Sequence, residues 1–354
     1  DIKNKVLDSM MQIIESRKDE ILEANKKDLE AFNRDDQALY DRLVVNDAKI
    51  SGMIQAIKEV RDQEDPVSQE ISNTTLDSGL KIINKTAPFG TIMIIYESRP
   101  DVTIEAAVLA FKANNKILLK GGKEAHHSNV VLVDCWKQAL RENDLDESWI
   151  TMLQMNREET QAFLKNPDQP LDLIVPRGGE RLIGFVKEHA KCAVLVSGRG
   201  NNFLYVHPKA DWAKTIEVII NAKTDKISGC NALDKVLVDK NIADYEAKIQ
   251  ELDQILKAKG VEVLADEASK EVLSDNTVIP NEDTWYEEFL AMKIVLGAVD
   301  SMEEAMEKIN TYSGGHSSAI MTTDKEAATT FMENIDTAAV YHNASTRFTD
   351  GGQM

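Results

Sequence analysis

From Thr91 onward the chain alternates short apolar runs with amphipathic stretches, and this alternation narrows the possible folds more than any other feature. Thr91–Tyr96 has the length and composition of a buried strand, 102–112 has helical spacing, 116–119 is a second buried strand and 128–141 a second helix. Strands joined through helices lie parallel, with the helices covering the faces of the sheet. The pattern recurs as a strand at 171–175, a helix at 182–190 and short strands at 192–196 and 203–206, after which a helix at 212–222 delivers the chain to Cys230. A second unit comes next, with strands at 235–239, 261–265, 290–299, 318–322 and 338–343 and helices at 242–259, 302–312 and 325–335. The expected fold class is α/β, with the boundary between its two layers near residue 225.

Ahead of this alternation, residues 2–32 carry Val6, Met10, Ile13, Ile14, Ile21 and Leu22 among charges, the spacing of amphipathic helices, and 47–61 is a further one. Residues 67–90 change character. Thr75-Leu-Asp-Ser-Gly-Leu-Lys81 places a Ser-Gly turn between short alternating runs, which predicts a β-hairpin. A projecting hairpin leaves an unpaired edge, and a second subunit is a common cover for one.

With 354 residues, 43% of them hydrophobic, the chain can bury a large core and suggests two or three domains. A net charge of −19 repels polyanions, which argues against a general nucleic-acid or anionic-membrane surface. An anionic substrate must therefore meet a local positive pocket. Cys135, Cys192 and Cys230 form neither a CxxC pair nor an even framework, so a disulfide scaffold and a structural metal are not expected and a reducing cytosol is the natural compartment. No apolar run reaches the roughly 18 residues of a membrane span, and no secretion signal is present. The first residue is Asp1, which leaves room for a native N-terminus upstream.

Cys230 stands between the end of a helical pattern and the start of the apolar run Val236-Leu-Val238. A thiol attacks as thiolate, and the Ser228-Gly-Cys-Asn231 turn offers close backbone approach at Gly229, main-chain N–H groups and the cations Lys223 and Lys226. On local chemistry alone, a lone cysteine at a strand edge is more often a small buried hydrophobe. Lys120-Gly-Gly122 and Pro176-Arg-Gly-Gly179 each come after a strand and precede a helix, where main-chain N–H groups and the helix dipole favour a phosphate. Neither is the GxGxxG fingerprint, and each also reads as an ordinary strand-to-helix turn. Gly198-Arg-Gly200-Asn-Asn202 is a third turn of the same ambiguity.

Taken together, Tyr96-Glu-Ser-Arg-Pro100, Leu119-Lys-Gly-Gly122, Pro176-Arg-Gly-Gly-Glu180, Asn221-Ala-Lys-Thr224, Cys230-Asn-Ala232, Glu288-Phe-Leu290, Gly315-His-Ser317 and Asn343-Ala-Ser-Thr-Arg-Phe-Thr-Asp-Gly-Gly352 resemble the γ-glutamyl phosphate reductases, also called glutamate-5-semialdehyde dehydrogenases, of the aldehyde dehydrogenase superfamily. The motifs occur in family order and span nearly the whole chain. The resemblance implies an aldehyde dehydrogenase-like fold: a Rossmann-type cofactor domain over 1–225 with the 67–90 hairpin used in oligomerisation, a catalytic domain over 226–344, and a return to the cofactor domain at 345–354. Family members continue well beyond the Asp-Gly-Gly motif, so the resemblance also implies a C-terminal tail past Met354.

The implied activity is NADPH-dependent reduction of L-glutamyl 5-phosphate to L-glutamate 5-semialdehyde with release of phosphate, the second step of proline biosynthesis. Cys230 would attack the acyl carbon to give a thioester, and Asn231 would serve the oxyanion through its main-chain N–H. An acyl phosphate carries its own leaving group, and Ser197-Gly-Arg-Gly-Asn-Asn202 supplies no glutamate to activate water, which fits a reductase better than a hydrolytic aldehyde dehydrogenase. Lys120, with Gly121 and Gly122, would contact the adenosine ribose and its 2′-phosphate. Pro176, Arg177, Gly178 and Gly179 would lie along the diphosphate, and Glu288 and Phe289 would hold the nicotinamide ribose. Arg99 and Arg347 suit the substrate's phosphate or carboxylate, or else pair with structural carboxylates. His316, Ser345 and Thr346 complete the implied substrate site, His316 reading equally as a structural histidine.

Two departures from the family pattern stand out. Asp101 follows Ser-Arg-Pro where the family usually has Asn, and a carboxylate donates no hydrogen bond to an oxyanion. Gly200-Asn-Asn-Phe203 replaces a Gly-Asn-Cys-His run. A homodimer or higher assembly is expected, and glutamate 5-kinase is a conceivable donor of the labile acyl phosphate that leaves no sequence mark. The alternatives are a CoA-acylating or hydrolytic aldehyde dehydrogenase, an idle nucleotide-binding scaffold, and a thiol redox sensor.

Overall fold

The computed structural model describes residues 2–33, 37–178, 180–196, 198–227 and 229–350. Contacts divide the chain into two compact units, Asp1–Val196 and Ser197–Met354.

The first unit opens with helices α1 (Ile2–Ser16), α2 (Lys18–Ala31), α3 (Gln37–Leu43) and α4 (Asp47–Asp62). Val6, Leu7, Met10, Ile13 and Ile14 recur at helical spacing on α1 and are all buried, in one core with Ile50, Met53 and Ile57 of α4. The hairpin comes next as β1 (Glu70–Thr75) antiparallel to β2 (Lys81–Lys85), every residue of it exposed. Beyond it lie β3 (Thr91–Tyr96), α5 (Pro100–Lys112), β4 (Lys116–Lys120), α6 (His126–Glu142), β5 (Ile150–Met152), α7 (Arg157–Lys165), β6 (Leu173–Arg177), α8 (Glu180–His189) and β7 (Ala193–Val194). The sheet has the order β5-β4-β3-β6-β7 and is parallel throughout, so the winding reverses between β3 and β6. This is the Rossmann-type arrangement. Neither α7 nor β5 shows in the apolar pattern: β5 is three residues long, and α7 is mostly polar, begun by an Asn156/Glu159 capping box.

The second unit contains β8 (Asn202–Val206), α9 (Trp212–Thr224), β9 (Leu233–Asp239), α10 (Tyr245–Ala258), β10 (Glu262–Ala265), β11 (Thr277–Val278), α11 (Asp283–Tyr286), β12 (Lys293–Val299), α12 (Met302–Tyr312), β13 (Ser317–Met321), α13 (Lys325–Asn334) and β14 (Ala339–His342), then a short 3-10 turn, Thr346–Phe348. Its seven strands run parallel in the order β11-β10-β12-β9-β8-β13-β14. Both faces are covered: Leu204 and Val206 of β8 enter one core, Phe203 and Tyr205 the other. Between β8 and β9 the register skips, Asn202 facing Leu233 and Phe203 facing Lys235, which leaves Asp234 as the extra residue of a bulge.

This topology moves the boundary expected near residue 225 back to Val196/Ser197. β8 belongs to the second unit because it is hydrogen-bonded between β9 and β13. Near the end of the described chain, Thr346 Oγ1 donates to the Asn231 carbonyl at 2.8 Å, a contact within the second unit.

Candidate active site

In the first unit, the two expected phosphate-binding turns and the Ser98-Arg99 segment leave the carboxyl ends of three neighbouring strands. Ser98 and Arg99 come after β3, Gly121 and Gly122 after β4, and Gly178 after β6; the register sets Ile95 beside Lys120 and Tyr96 beside Arg177. In a doubly wound sheet, ligands bind at this edge, where the winding reverses. Ser98, at φ 38°, turns its N–H and hydroxyl to Glu124 Oε1 at 2.8 and 2.9 Å, tying the exit of β3 to that of β4. The Lys120 ammonium donates to the Gly121 carbonyl at 2.9 Å, and burial lowers its pKa against the opposing pull of Glu124. Gly121 is required by space: a Cβ there would run into the Asn129 amide and come within 3.2 Å of the Tyr96 ring.

Arg177 is exposed, whereas Pro176 is buried inside β6 opposite Ile95 instead of lying in the turn. Gly179 lies outside the described residues. Arg99 reaches Asp101 Oδ2 at 3.1 Å, so Asp101 accepts from an arginine.

In the second unit the expected residues gather at the amino ends of the adjacent strands β12, β9, β8 and β13. Cys230 is exposed in the turn that enters β9. That turn is closed by bonds from Gly229 N–H to Lys226 O (3.2 Å) and from Ala232 N–H to Gly229 O (3.0 Å). Asn231 is buried; its amide donates to the carbonyls of Arg347 (3.1 Å) and Thr349 (3.0 Å), and its Oδ1 accepts from the Arg347 guanidinium. Arg347 also donates to Asp225 at 3.2 Å. Ser345 and Thr346 are buried, their hydroxyls engaged by Arg347 N–H (3.3 Å) and Asn231 O (2.8 Å), so in this structure they serve the turn.

Glu288 lies beside the same turn. A Cβ at Gly200 would be 2.5 Å from Glu288 Oε1 and would collide with the Cys230 carbonyl. Only glycine lets the strand entrance pass between them. His316 sits ahead of β13, its Nδ1 3.3 Å from Ser317 Oγ, and Arg199 bridges to Gly315. Lys223, expected as a cation near the thiol, is instead fully buried and paired with Asp234 Oδ1 at 2.8 Å, with burial pushing its pKa down. Lys226 is exposed.

Four residues of this edge are not evident from sequence motifs. Asn201 donates to the carbonyls of Trp285 (2.9 Å) and Tyr312 (2.8 Å) and accepts from Gly314 N–H (2.6 Å). Asn202 donates to the carbonyls of Gly200, Cys230 and Ala232 at 2.9, 2.8 and 2.7 Å, and its Oδ1 accepts from Ser317. Asp234 Oδ2 accepts from Phe289 N–H at 2.9 Å, and the Lys235 ammonium donates to Glu287 O at 2.7 Å. An acid and a base side by side in the run Ala232-Leu-Asp-Lys-Val-Leu-Val238 are the one signal of this pair in the sequence. Among the described residues no group of three or more His, Cys, Asp or Glu side chains could hold a metal.

The chain is 40% identical over 363 residues to the γ-glutamyl phosphate reductase of Persephonella marina, covering 100% of this chain and 81% of the relative. It belongs to the γ-glutamyl phosphate reductase family. The broader aldehyde dehydrogenase family matches residues 3–261 and 244–353, which makes this reductase-family chain an oxidoreductase by membership. The crystal structure of γ-glutamyl phosphate reductase from Thermotoga maritima superposes with a TM-score of 0.92 at 40% identity, covering 99% of this chain and 84% of that one. An acetylating aldehyde dehydrogenase from Geobacillus thermoglucosidasius, at 19% identity and a TM-score of 0.66 over 100% and 83% of the two chains, shares the fold. In this family member, Asn202 and Phe203 stand where the family's Cys-His run was expected, and Asn202 is the hub of the Cys230 turn.

Proposed function

We propose that the chain reduces L-glutamyl 5-phosphate to L-glutamate 5-semialdehyde with NADPH and releases phosphate, a step of proline biosynthesis. The observation that carries this is the exposed Cys230, held in a tightly bonded turn beside Glu288 in a chain of the γ-glutamyl phosphate reductase family. The Cys230 thiolate attacks the acyl carbon, the bond from that carbon to the phosphate oxygen breaks, and phosphate departs to leave a thioester on Cys230. The Asn231 main-chain N–H, next in the turn, is the donor assigned to the oxyanion.

The cofactor-binding role rests on the basic, glycine-lined carboxyl edge of the first sheet. Lys120 and Arg177 answer the ribose phosphate and diphosphate charges there, Gly121 and Gly178 let the turns pack against Asn129, Tyr96 and Glu97, and Glu288 and Phe289 hold the nicotinamide ribose. When bound, the nicotinamide supplies the hydride that reduces the thioester. Arg99, Arg347 and His316 grip the substrate, the two guanidiniums suiting its phosphate or carboxylate.

Self-association through the hairpin accompanies this function, in keeping with the exposed Ile71, Leu80, Ile82 and Ile83. Transfer of the labile substrate from glutamate 5-kinase and a cytosolic location belong to the same proposal. Among the described residues, no helix is long and apolar enough to cross a membrane.

The test runs the reaction backward, following NADPH formation from glutamate semialdehyde with and without inorganic phosphate in the protein and its Cys230→Ala variant. Formation that needs phosphate and disappears with the thiol is expected. Turnover without phosphate would mean a hydrolytic aldehyde dehydrogenase, and a folded protein that binds NADP but never turns over would be a scaffold.

A further inference from the structure

Just past Cys230, the β9 bulge puts two charged side chains into a buried layer. In a regular strand, successive side chains point to opposite faces. The extra residue at Asp234 breaks that alternation, and both Asp234 and Lys235 engage the loop over residues 287–289. Asp234, 1% exposed, takes Phe289 N–H on Oδ2 at 2.9 Å and Lys223 Nζ on Oδ1 at 2.8 Å. Lys235, 0% exposed, donates to Glu287 O at 2.7 Å and holds its ammonium 3.8 Å from the centre of the Phe289 ring. The same loop carries Glu288 to Gly200 and the Cys230 carbonyl.

We propose that Asp234 and Lys235 are positioning residues that clamp the 287–289 loop beside the Cys230 turn, and that the clamp closes fully only while the Lys235 amine is protonated. The significance for cofactor binding rests on the assignment of Glu288 and Phe289 to the nicotinamide ribose.

The groups facing Lys235 make this a titratable clamp. Asp234 on its own strand and Glu287 on the loop favour the ammonium; Lys223 on α9 and Arg199 ahead of β8 oppose it, and Lys293 of β12 stands 5.4 Å over the same Phe289 ring. Burial outweighs the carboxylates and brings the Lys235 pKa down to about 8. A neutral amine still reaches the Glu287 carbonyl, yet forfeits both the charge-assisted bond and the cation–π contact.

The experiment measures hydrogen exchange of the segment 284–290 in the cofactor-free protein, scaled to intrinsic rates, from about pH 7 to about pH 9.5. Affinity for NADP is measured alongside by calorimetry, in the protein and in Lys235→Arg, Lys235→Met and Asp234→Asn. Protection of the loop is expected to fall about tenfold through pH 8 in the parent, to stay high in Lys235→Arg, and to be low throughout in Lys235→Met, with the rest of the second unit protected in each. Asp234→Asn, which keeps an acceptor for Phe289 N–H, is expected to sit between them. Equal, pH-independent protection in the parent and Lys235→Met would overturn the clamp, even if NADP binds. A loop that shows the expected profile in a protein with no affinity for NADP would uphold the clamp and overturn the cofactor assignment.

Discussion

The side-chain amide of Asn202 donates to the main-chain carbonyl of Cys230 at 2.8 Å. Because it also serves Gly200, Ala232 and Ser317, one fully buried side chain joins the entrances of β8, β9 and β13. Asn202→Ala strands several buried carbonyls at once and is expected to cost roughly 2–4 kcal/mol, read from the urea midpoint. Alkylation of Cys230 by iodoacetamide should change in the folded variant. An unchanged midpoint would mean the entrances hold together without this hub.

Gly200→Ala tests the close approach. Its new methyl group meets the Cys230 backbone, which cannot swing aside as a flexible side-chain end would, and Glu288 Oε1 at 2.5 Å. A loss of about 1–3 kcal/mol in stability is expected, with at least a tenfold fall in turnover. Wild-type kinetics in this variant would show that the Cys230 turn has slack.

The buried ion pair predicts that a second substitution will partly repair the first. Lys223→Met leaves Asp234 charged and without its cation at 1% exposure, which is expected to cost roughly 3–5 kcal/mol. Lys223→Met combined with Asp234→Asn removes the stranded charge, keeps an acceptor for Phe289 N–H, and should recover much of that loss. A double variant no more stable than the single one would show that the charge was not the problem.

Acid stability has a contributor at the start of α13. Asp324 caps that helix through the N–H groups of Glu326 (3.0 Å) and Ala327 (3.2 Å) and accepts from Lys209 at 2.6 Å. Lys209 first, then the helix amides, hold its pKa at about 2, below the ordinary 3.8. A depressed carboxylate pKa stabilises the fold fully above the ordinary value and loses that contribution as pH falls through the folded one. The gap in unfolding free energy between the parent and Asp324→Ala should therefore be constant above about pH 4.5 and shrink toward about pH 2. A gap independent of pH would assign the effect to the loss of packing alone.

Elements whose apolar period is strong were legible within a residue or two: Thr91–Tyr96 and Met302–Tyr312 fall where the pattern puts them. The spatial order of strands was not, because parallel pairing is set by distant partners. Val206 lies beside Met321, and only that pairing shows that β8 opens the second unit rather than closing the first.

At the site, Cys230, Asn231, Glu288 and His316 could be read from their motifs, yet the motifs do not say what each side chain touches. Lys223 looks like a solvated helix-end lysine until Asp234 is seen 2.8 Å away. Arg99 and Arg347 have carboxylate neighbours that their motifs also left open. The sheet edge, by contrast, was legible: the glycine turns of the first unit leave the carboxyl ends of their strands, whereas Cys230 precedes its strand, as its place between a helical pattern and an apolar run indicates.

The side-chain hydrogen bonds described at Asn231 all run to Thr346, Arg347 or Thr349, across 115 to 118 residues of chain. A chain emerging from the ribosome therefore presents its thiol long before the segment that shapes the surrounding turn has been synthesised. Until then none of these bonds to Asn231, the residue beside the thiol, can form.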